Sequence, residues 1–282
     1  MRIHHLNCGS MRPLGCRLIN GHGGVLATAE MVCHCLLIET DADLVLVDTG
    51  IGLNDIAHPK ESLGRLFTTL ARPALDPEET AVRQVRALGY DPNDVRHIVL
   101  THMDLDHTGG LPDFPHATAH LLSAELDAAL RPRTRLERER YRQQQWAHGP
   151  TWHSYTAEGE PWFGFAAARQ LVGLPPDILL IALAGHTRGH AGVAVDTGSG
   201  WLLHAGDAYF FHGEVDPDKP HCTPALRLFQ SFVKTQKEPR IANQRRLREL
   251  ARERGDQVRL CSAHDPVELR EMSEMSRTRS PR

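Results

Sequence analysis

The chain has no long hydrophobic run. None of its apolar stretches approaches the roughly 18 to 20 residues that a membrane helix needs. Residues Met1 to His5 are followed by polar and glycine-containing sequence, where a secretory signal would have an apolar segment. We therefore expect a cytoplasmic protein that has no membrane partner.

Neither sign of charge is in large excess. Lysine and arginine together number 32 against 35 acidic residues, which gives a formal net charge of -3 at pH 7. A near balance argues against a nucleic-acid scaffold, although arginines cluster locally. We expect a small-molecule substrate and no nucleic-acid partner.

Low-complexity linkers and internal repeats are also missing. A chain of 282 residues can form one large α/β domain or two small ones, and nothing in the sequence forces a split. We expect a single domain over 1–282. The tail after about Met272 is polar, and we expect it to fray.

The cysteines are few and mostly far apart: Cys8, Cys16, Cys33, Cys35, Cys222 and Cys261. Only Cys33 and Cys35 are close, and one residue between them in a strand points the two thiols to opposite faces. A metal shared by this pair is therefore not expected. The pattern is typical of reduced, mostly buried thiols in a cytosolic protein.

The densest chemical feature lies in Val95–Pro112, V-R-H-I-V-L-T-H-M-D-L-D-H-T-G-G-L-P. The apolar run Ile98–Leu100 predicts a buried strand, and four metal-ligand types follow within six residues: His102, Asp104, Asp106 and His107. Imidazole and carboxylate groups together suit zinc, iron or manganese. The alternative is a charged surface turn, but such a turn does not need two histidines and two aspartates. We favour a metal site.

Other predicted strands end in similar residues. Ile178–Ala184 leads to His186, Trp201–Leu203 leads to Asp207, and Val258–Cys261 leads to His264. The predicted hairpin of 31–39 and 44–47 ends at Asp48, which either orients a ligand or only forms a turn. Because four strands deliver ligand types at their ends, we expect these side chains to converge.

Segment 131–165 differs in composition from the remaining chain. Its first part is an arginine- and glutamate-rich stretch that predicts a solvated surface helix, with a site for an anionic partner as the alternative. Its second part holds three of the four tryptophans. This segment is predicted to be an inserted lid or substrate wall, or else a satellite hydrophobic cluster under a long connection.

A helix is predicted over roughly Pro224–Arg254. Leu226, Phe229 and Val233 form an apolar stripe on it, which is either part of the core or the contact surface of a homodimer.

The order of motifs, H-M-D-L-D-H, then G-H-T, then G-D, then A-H-D, resembles that of metallo-β-lactamase-fold hydrolases, which include glyoxalase II and the acyl-homoserine lactone lactonases. The resemblance covers 31–265. It implies an α/β (α+β) fold, a four-layer αββα sandwich of two mostly antiparallel sheets with helices outside. It also implies metal ligands at His102, Asp106, His107, His186, Asp207 and His264. His190 matches a frequent histidine that supports the site without binding metal.

Asp104 departs from this family, which usually has a second histidine there. A carboxylate can still coordinate, so the resemblance implies two sites that share Asp207. Site one would comprise His102, Asp104, His186 and Asp207, and site two would comprise Asp106, His107, His264 and Asp207. The cofactors implied are two divalent ions, most simply zinc, with iron or manganese favoured where Asp104 binds. Site two alone could be filled. On this resemblance we expect Asp104→His to keep or increase metal occupancy.

The resemblance implies hydrolysis of an ester-type bond by a hydroxide held between two metal ions, with a lactone such as an acyl-homoserine lactone as the leading substrate. Asp106 would orient the nucleophile and move its proton, and Tyr209 would donate to the carbonyl oxygen. The sequence has no G-x-S-x-G element for a serine nucleophile. The alternatives are a thioesterase of glyoxalase II type, a mononuclear iron oxygenase acting on persulfides, and a non-catalytic metal-binding module.

Overall fold

Two six-stranded sheets form the centre of the computed structural model, which describes residues 1–279 and side chains through position 276. The strands are β1 (Arg2–Met11), β2 (Met31–Glu39), β3 (Leu44–Val47), β4 (Val95–Val99), β5 (Thr118–Leu122), β6 (Thr151–Tyr155), β7 (Glu160–Trp162), β8 (Phe165–Gln170), β9 (Ile178–Ala182), β10 (Ala191–Asp196), β11 (Trp201–His204) and β12 (Val258–Cys261).

Helices cover the outer faces of the sheets. They are α1 (Cys16–Ile19), α2 (Leu53–Ala57), α3 (Pro59–Ser62), α4 (Arg65–Leu70), α5 (Ala81–Ala87), α6 (Leu105–Thr108), α7 (Ser123–Leu130), α8 (Arg135–Arg140), α9 (Pro224–Val233), α10 (Lys237–Arg254) and α11 (Pro266–Arg279). None of these helices is both long and apolar enough to span a membrane.

The strand order is β1-β2-β3-β4-β5-β6 in the first sheet and β12-β11-β10-β9-β8-β7 in the second. Strands β3 to β6 run parallel, whereas β1, β2 and β3 pair antiparallel. The first sheet is therefore mixed and not mostly antiparallel. Crossover connections that contain helices bring the chain back to the end of the sheet at which the preceding parallel strand began. In the second sheet only the β11–β12 pairing is parallel.

Alternate residues of the central strands face two different cores. Leu36 and Ile38 of β2 pack in the core between the sheets with Val193 of β10. Leu37 faces the opposite way, toward the core that α5 and α7 complete. A third core lies between the second sheet and α10, where Leu247 is fully buried. Both faces of these strands are therefore apolar. The four-layer αββα prediction is confirmed.

The helix predicted over Pro224–Arg254 is two helices. Lys234 and Gln236 have extended backbones, and the amide of Thr235 between them donates to the carbonyl of His186 at 3.0 Å. Pro239, three residues into α10, was the available signal, because proline is tolerated only in the first turn of a helix. The break places the chain against the loop that carries His186.

The tail after about Met272, which we expected to fray, is helical in the residues that the structure describes. Helix α11 continues to Arg279, because Met272 and Met275 pack against the core between the sheets. Asp265 caps the helix by accepting from the amide of Val267 at 2.7 Å. Residues 280–282 lie outside the described residues.

The second half of segment 131–165 contributes strands to both sheets. Strand β6 pairs with β5 at the edge of the first sheet, and β7 pairs with β8 at the edge of the second. Trp146 and Trp162 are buried in cores that the sheets form with helices. These aromatic residues are therefore core residues and not the wall of a lid.

Candidate metal centre

The predicted ligands converge where several strands end. His102 to His107 follow β4, His186 follows β9, Asp207 follows β11 and His264 follows β12. The structure brings together one group of His102, Asp104, His186 and Asp207, and a second group of His107, Asp207 and His264. In each group the candidate ligand atoms lie within 4.8 Å of one another. Asp106 joins a third group through His264.

Asp207 is the centre of this arrangement. Its Oδ2 lies 3.7 Å from Nε2 of His102 and 3.3 Å from Nε2 of His186. Its Oδ1 lies 3.4 Å from Nε2 of His107 and 3.1 Å from Nε2 of His264. Each oxygen of one buried carboxylate therefore faces a different pair of histidines, so this side chain could serve two adjacent metal sites.

The other two carboxylates lie beside histidines of different pairs. Oδ2 of Asp104 lies 3.0 Å from Nε2 of His186 and 3.5 Å from Nε2 of His102. Oδ2 of Asp106 lies 3.7 Å from Nε2 of His264. The spatial division matches the two ligand sets that the resemblance implies.

Unpaired buried atoms show that a cation fits here. Among the described residues, Nε2 of His102, Nε2 of His107 and Oδ1 of Asp207 are buried and have no hydrogen-bond partner. A buried polar atom without a partner is costly unless it binds an ion or water. Imidazole nitrogens and carboxylate oxygens are donors that divalent transition metals prefer.

The electrostatics of the pocket also favour a cation. Burial lowers the pKa of His107, but the Asp207 and Asp48 carboxylates outweigh it and raise that pKa well above its ordinary range. Burial, followed by the Arg140 guanidinium, lowers the pKa of His186 to about 4. His186 is therefore a neutral imidazole, the form that binds metal.

Comparison with known proteins identifies the family. The sequence profile of the metallo-beta-lactamase superfamily matches residues 29–245, well over half of the chain. The chain belongs to this superfamily. A "Probable metallo-hydrolase" of Mycobacterium tuberculosis is 43% identical over 268 residues, which cover 94% of this chain and 81% of that protein. We therefore describe the protein as a metallo-hydrolase of this fold.

Other relatives are more distant. An N-acyl homoserine lactonase of Agrobacterium fabrum is 31% identical over 137 residues, which cover 47% of this chain and 49% of the relative. The solved structure of an N-acyl homoserine lactone hydrolase, with N-hexanoyl-L-homoserine at its catalytic metal centre, has a TM-score of 0.70 at 20% identity. The match covers 96% of this chain and 95% of that one and shows a common fold.

Asp48 orients the imidazole of the candidate ligand His107. Its Oδ2 lies 2.8 Å from Nδ1 of His107, and Thr101 donates to the same carboxylate through both its amide and its hydroxyl. A histidine that donates Nδ1–H to a carboxylate presents Nε2 to the metal. Asp48 has a left-handed backbone, φ 55°, which is uncommon for a residue other than glycine. It is therefore both an orienting group and a turn residue.

His190 supports the site as predicted. Its Nε2 accepts from the amide of Asp207 at 2.9 Å, and Nδ1 donates to the carbonyl of Leu183 at 3.1 Å. His264 is held similarly, because its Nδ1 donates to the carbonyl of Val32 at 2.7 Å. Backbone contacts thus fix the orientation of both rings.

Three residues of the site were missed in the sequence. Cys33 lies with Asp106 and His264, and burial raises the pKa of its thiol well above its ordinary value. Glu125 of α7, fully buried, accepts from the amide of Met103 at 2.9 Å. Arg140 of α8 lies 3.3 Å from Asp104. The motif itself contains no signal for any of these residues.

The prediction for Tyr209 is corrected by the structure. The side chain is fully buried in the core between the second sheet and α10, and its hydroxyl donates to Oε1 of Glu268 at 2.8 Å. Burial, followed by Asp265, raises the pKa of Glu268 to about 8. A hydroxyl engaged with this carboxyl group cannot donate to a substrate carbonyl, and the shorter spacing from Asp207 explains its different direction.

We expect Tyr209→Phe to keep turnover close to that of the native enzyme. The variant removes one hydrogen bond to Glu268, so its free energy of unfolding should fall by about 1 kcal/mol. Steady-state rates and denaturant unfolding measure the two effects. A loss of turnover of tenfold or more at unchanged stability would restore Tyr209 to the reaction.

Proposed function

We propose that this metallo-hydrolase opens lactones that carry an apolar acyl chain, using two zinc ions. The observation that carries the proposal is the position of Asp207, with one carboxylate oxygen facing each pair of histidines. Divalent ions held by these residues would supply a hydroxide nucleophile at neutral pH and Lewis acidity toward a carbonyl oxygen.

The chain's own residues hold this chemistry in place. His102, His107 and His264 would bind the ions through Nε2, because a hydrogen bond already occupies Nδ1 of each ring. His186 would also use Nε2, which faces Asp104 and Asp207. Asp106 is less buried than Asp207, with 12% of its side chain exposed against 4%. We assign to its second carboxylate oxygen the role of accepting a proton from the attacking water and returning it to the leaving group.

The substrate class follows from an apolar wall beside the cluster. The ring of Phe210 stacks on His264 with centroids 5.3 Å apart, and Phe229 of α9 meets Phe210 edge-on at 5.4 Å. A groove next to His264 is lined by Met31 and Leu226 and also by polar residues that include His212, Asp265 and Arg270. Phe229 is 44% exposed. This surface leads from a metal ligand to solvent, which suits a hydrocarbon chain attached to the reacting group.

The apolar stripe predicted on α9 has one buried residue and one exposed residue. Leu226 is buried in a small core with Phe210 and Phe211, whereas Phe229 is exposed beside the site. The exposed part supports a substrate surface. A homodimer remains a proposal, and the oligomeric state measured by light scattering would test it.

The test is proton release from acyl-homoserine lactones, simple lactones and thioesters, with metal content measured first and Asp207→Ala as the blank. We expect turnover of lactones to rise with acyl-chain length and to vanish in the blank. Silence on lactones with two metals bound would overturn the lactone assignment. Thioester turnover would then favour the thioesterase, and one bound iron with oxygen uptake would favour the persulfide oxygenase.

A further inference from the structure

Asp104 uses its two oxygens for different partners. Oδ2 faces the imidazoles of His102 and His186, and Oδ1 lies 3.3 Å from Nε of Arg140. The Arg140 side chain is 4% exposed and that of Asp104 is 14% exposed, so the pair is shielded from solvent. Asp104 and Arg140 therefore form a shielded ion pair beside the imidazoles of His102 and His186.

Arg140 is held by more than this ion pair. Its Nη1 donates to the carbonyl of His186 at 3.2 Å, and Nη2 donates to the carbonyl of Val233 at 2.5 Å. One guanidinium thus contacts the side chain of one candidate ligand and the backbone of another. Its planar donors fix the direction from which it meets Asp104.

Helix α8 is anchored to the same loop at its other end. Glu137 lies 3.0 Å from Nε of Arg188, two residues after His186. Thr134 and Glu137 form a reciprocal cap at the start of α8, and Glu137 is buried. The helix therefore cannot slide relative to the His186 loop without breaking these contacts, and Arg140 is set in register with Asp104.

The charges of the pair cancel. The family that this chain resembles has a neutral histidine where Asp104 stands, and an aspartate alone would add one negative charge to site one. A buried guanidinium adds one positive charge beside it. The sum equals the charge of a neutral histidine, so the net formal charge around site one is unchanged.

We propose that Arg140 is a positioning residue that makes Asp104 a charge-balanced, one-oxygen ligand of site one, so that the two residues together replace a histidine. The expectation that Asp104→His alone keeps metal occupancy is thereby reversed. In that variant the guanidinium loses its carboxylate and stays buried beside a divalent cation, which repels it. The inference rests on the proposed pair of metal ions but not on the lactone substrate.

The experiment is a double-mutant cycle on zinc affinity, read by chelator competition for the first and second zinc equivalents. We expect Asp104→His to weaken the site-one zinc about 10- to 100-fold, the range in which supporting contacts affect metal affinity. Arg140→Met in the same chain should restore it to within about threefold of native, because interacting residues are strongly non-additive. Cobalt-loaded protein provides a visible absorption spectrum of site one, which the single variant should lose and the double variant regain.

Arg142→Met is the matched control. Arg142 lies two residues further along the chain, and its guanidinium contacts Glu139 and the carbonyl of Leu63. It should not rescue Asp104→His. Circular dichroism melting of every variant separates loss of zinc from loss of folding. Arg140→Gln, which also removes the charge, replaces Arg140→Met should that variant fail to fold.

Two outcomes would overturn the proposal. In one, Asp104→His binds both zinc ions as tightly as the native protein. In the other, Arg140→Met changes zinc affinity by the same factor in the native chain and in the Asp104→His chain, so that the two effects are additive. Neither outcome depends on turnover, and a native protein that shows the coupling but hydrolyses no lactone would refute the proposed function alone.

Discussion

Asp207→Ala is expected to lose both metal ions and to reduce turnover by at least about a thousandfold, because ion loss removes several kcal/mol of transition-state stabilisation. Asp207 is 4% exposed, and its two oxygens face different histidine pairs. Removing either Asp104 or Asp106 affects one half of the cluster, whereas removing Asp207 takes a ligand from each half.

Metal content by plasma mass spectrometry, after dialysis against buffered zinc, is the direct measurement. Asp256→Ala, an exposed residue before β12, is the control and should keep the native content. Far-ultraviolet circular dichroism confirms that the variant is folded. Retention of one ion at native affinity would show that Asp207 serves a single site and would end the shared-ligand interpretation.

The ligand cluster was predictable because strand ends are local features. His102 to His107 follow an apolar strand directly, and His186, Asp207 and His264 each follow another. Once strands stack in two facing sheets, their ends meet, so short motifs far apart in sequence predict a common site. The four-layer fold was implied by the resemblance in motif order, and the short, hairpin-linked strands between amphipathic helices agreed with it.

The charged stretch 131–145 shows where sequence reasoning fails. The sequence gives no reason to distinguish Arg138 from Arg140. In the structure Arg138 is exposed, whereas Arg140 is buried and lies 3.3 Å from Asp104. A solvated helix was predicted for this run, but α8 spans only Arg135–Arg140, and two of its residues, Glu137 and Arg140, are buried. Only the packing of α8 against the His186 loop determines which arginine turns inward.

Tyr209 is a case in which the motif was read one residue too early. It follows Asp207 by two residues, and the neighbouring Phe210 is the aromatic residue that packs against His264 and His186. After the short turn at Gly206–Ala208, consecutive side chains point to opposite sides. A shift of one residue therefore decides whether the aromatic side chain packs in the core, as Tyr209 does, or against the site, as Phe210 does.

Glu125 carries the second large prediction, because it joins the two loops that hold site one. Its Oε1 accepts from the amide of Met103 at 2.9 Å, and Oε2 accepts from the amide of Gly189 at 3.1 Å. Tyr141 also donates to Oε1 at 3.2 Å. Gly189 has no room for a side chain, since a Cβ atom there would lie 2.1 Å from the backbone nitrogen of Glu125. The carboxylate thus holds Met103 and Gly189 at a fixed separation.

We expect Glu125→Ala to lower the free energy of unfolding by about 3 kcal/mol, since two buried amides lose their acceptor at about 1 to 3 kcal/mol each. The melting temperature should fall by about 5 to 10 °C. Zinc affinity of site one should fall as well, because His102 and His186 lie on the two loops that are released. Calorimetry and chelator competition measure the two effects.

A graded series of variants separates anchoring from general destabilisation. Glu125→Gln keeps one carbonyl acceptor and places an amide group against the other backbone donor, so about half of the stability loss should remain. Asp127→Ala, on the exposed face of the same helix, should change neither stability nor zinc affinity. If Glu125→Ala lowered stability as expected but left the affinity of both zinc sites unchanged, the ligand loops would be held by other contacts. Site one would then be positioned from α8, through Arg140 and Glu137, and not from α7.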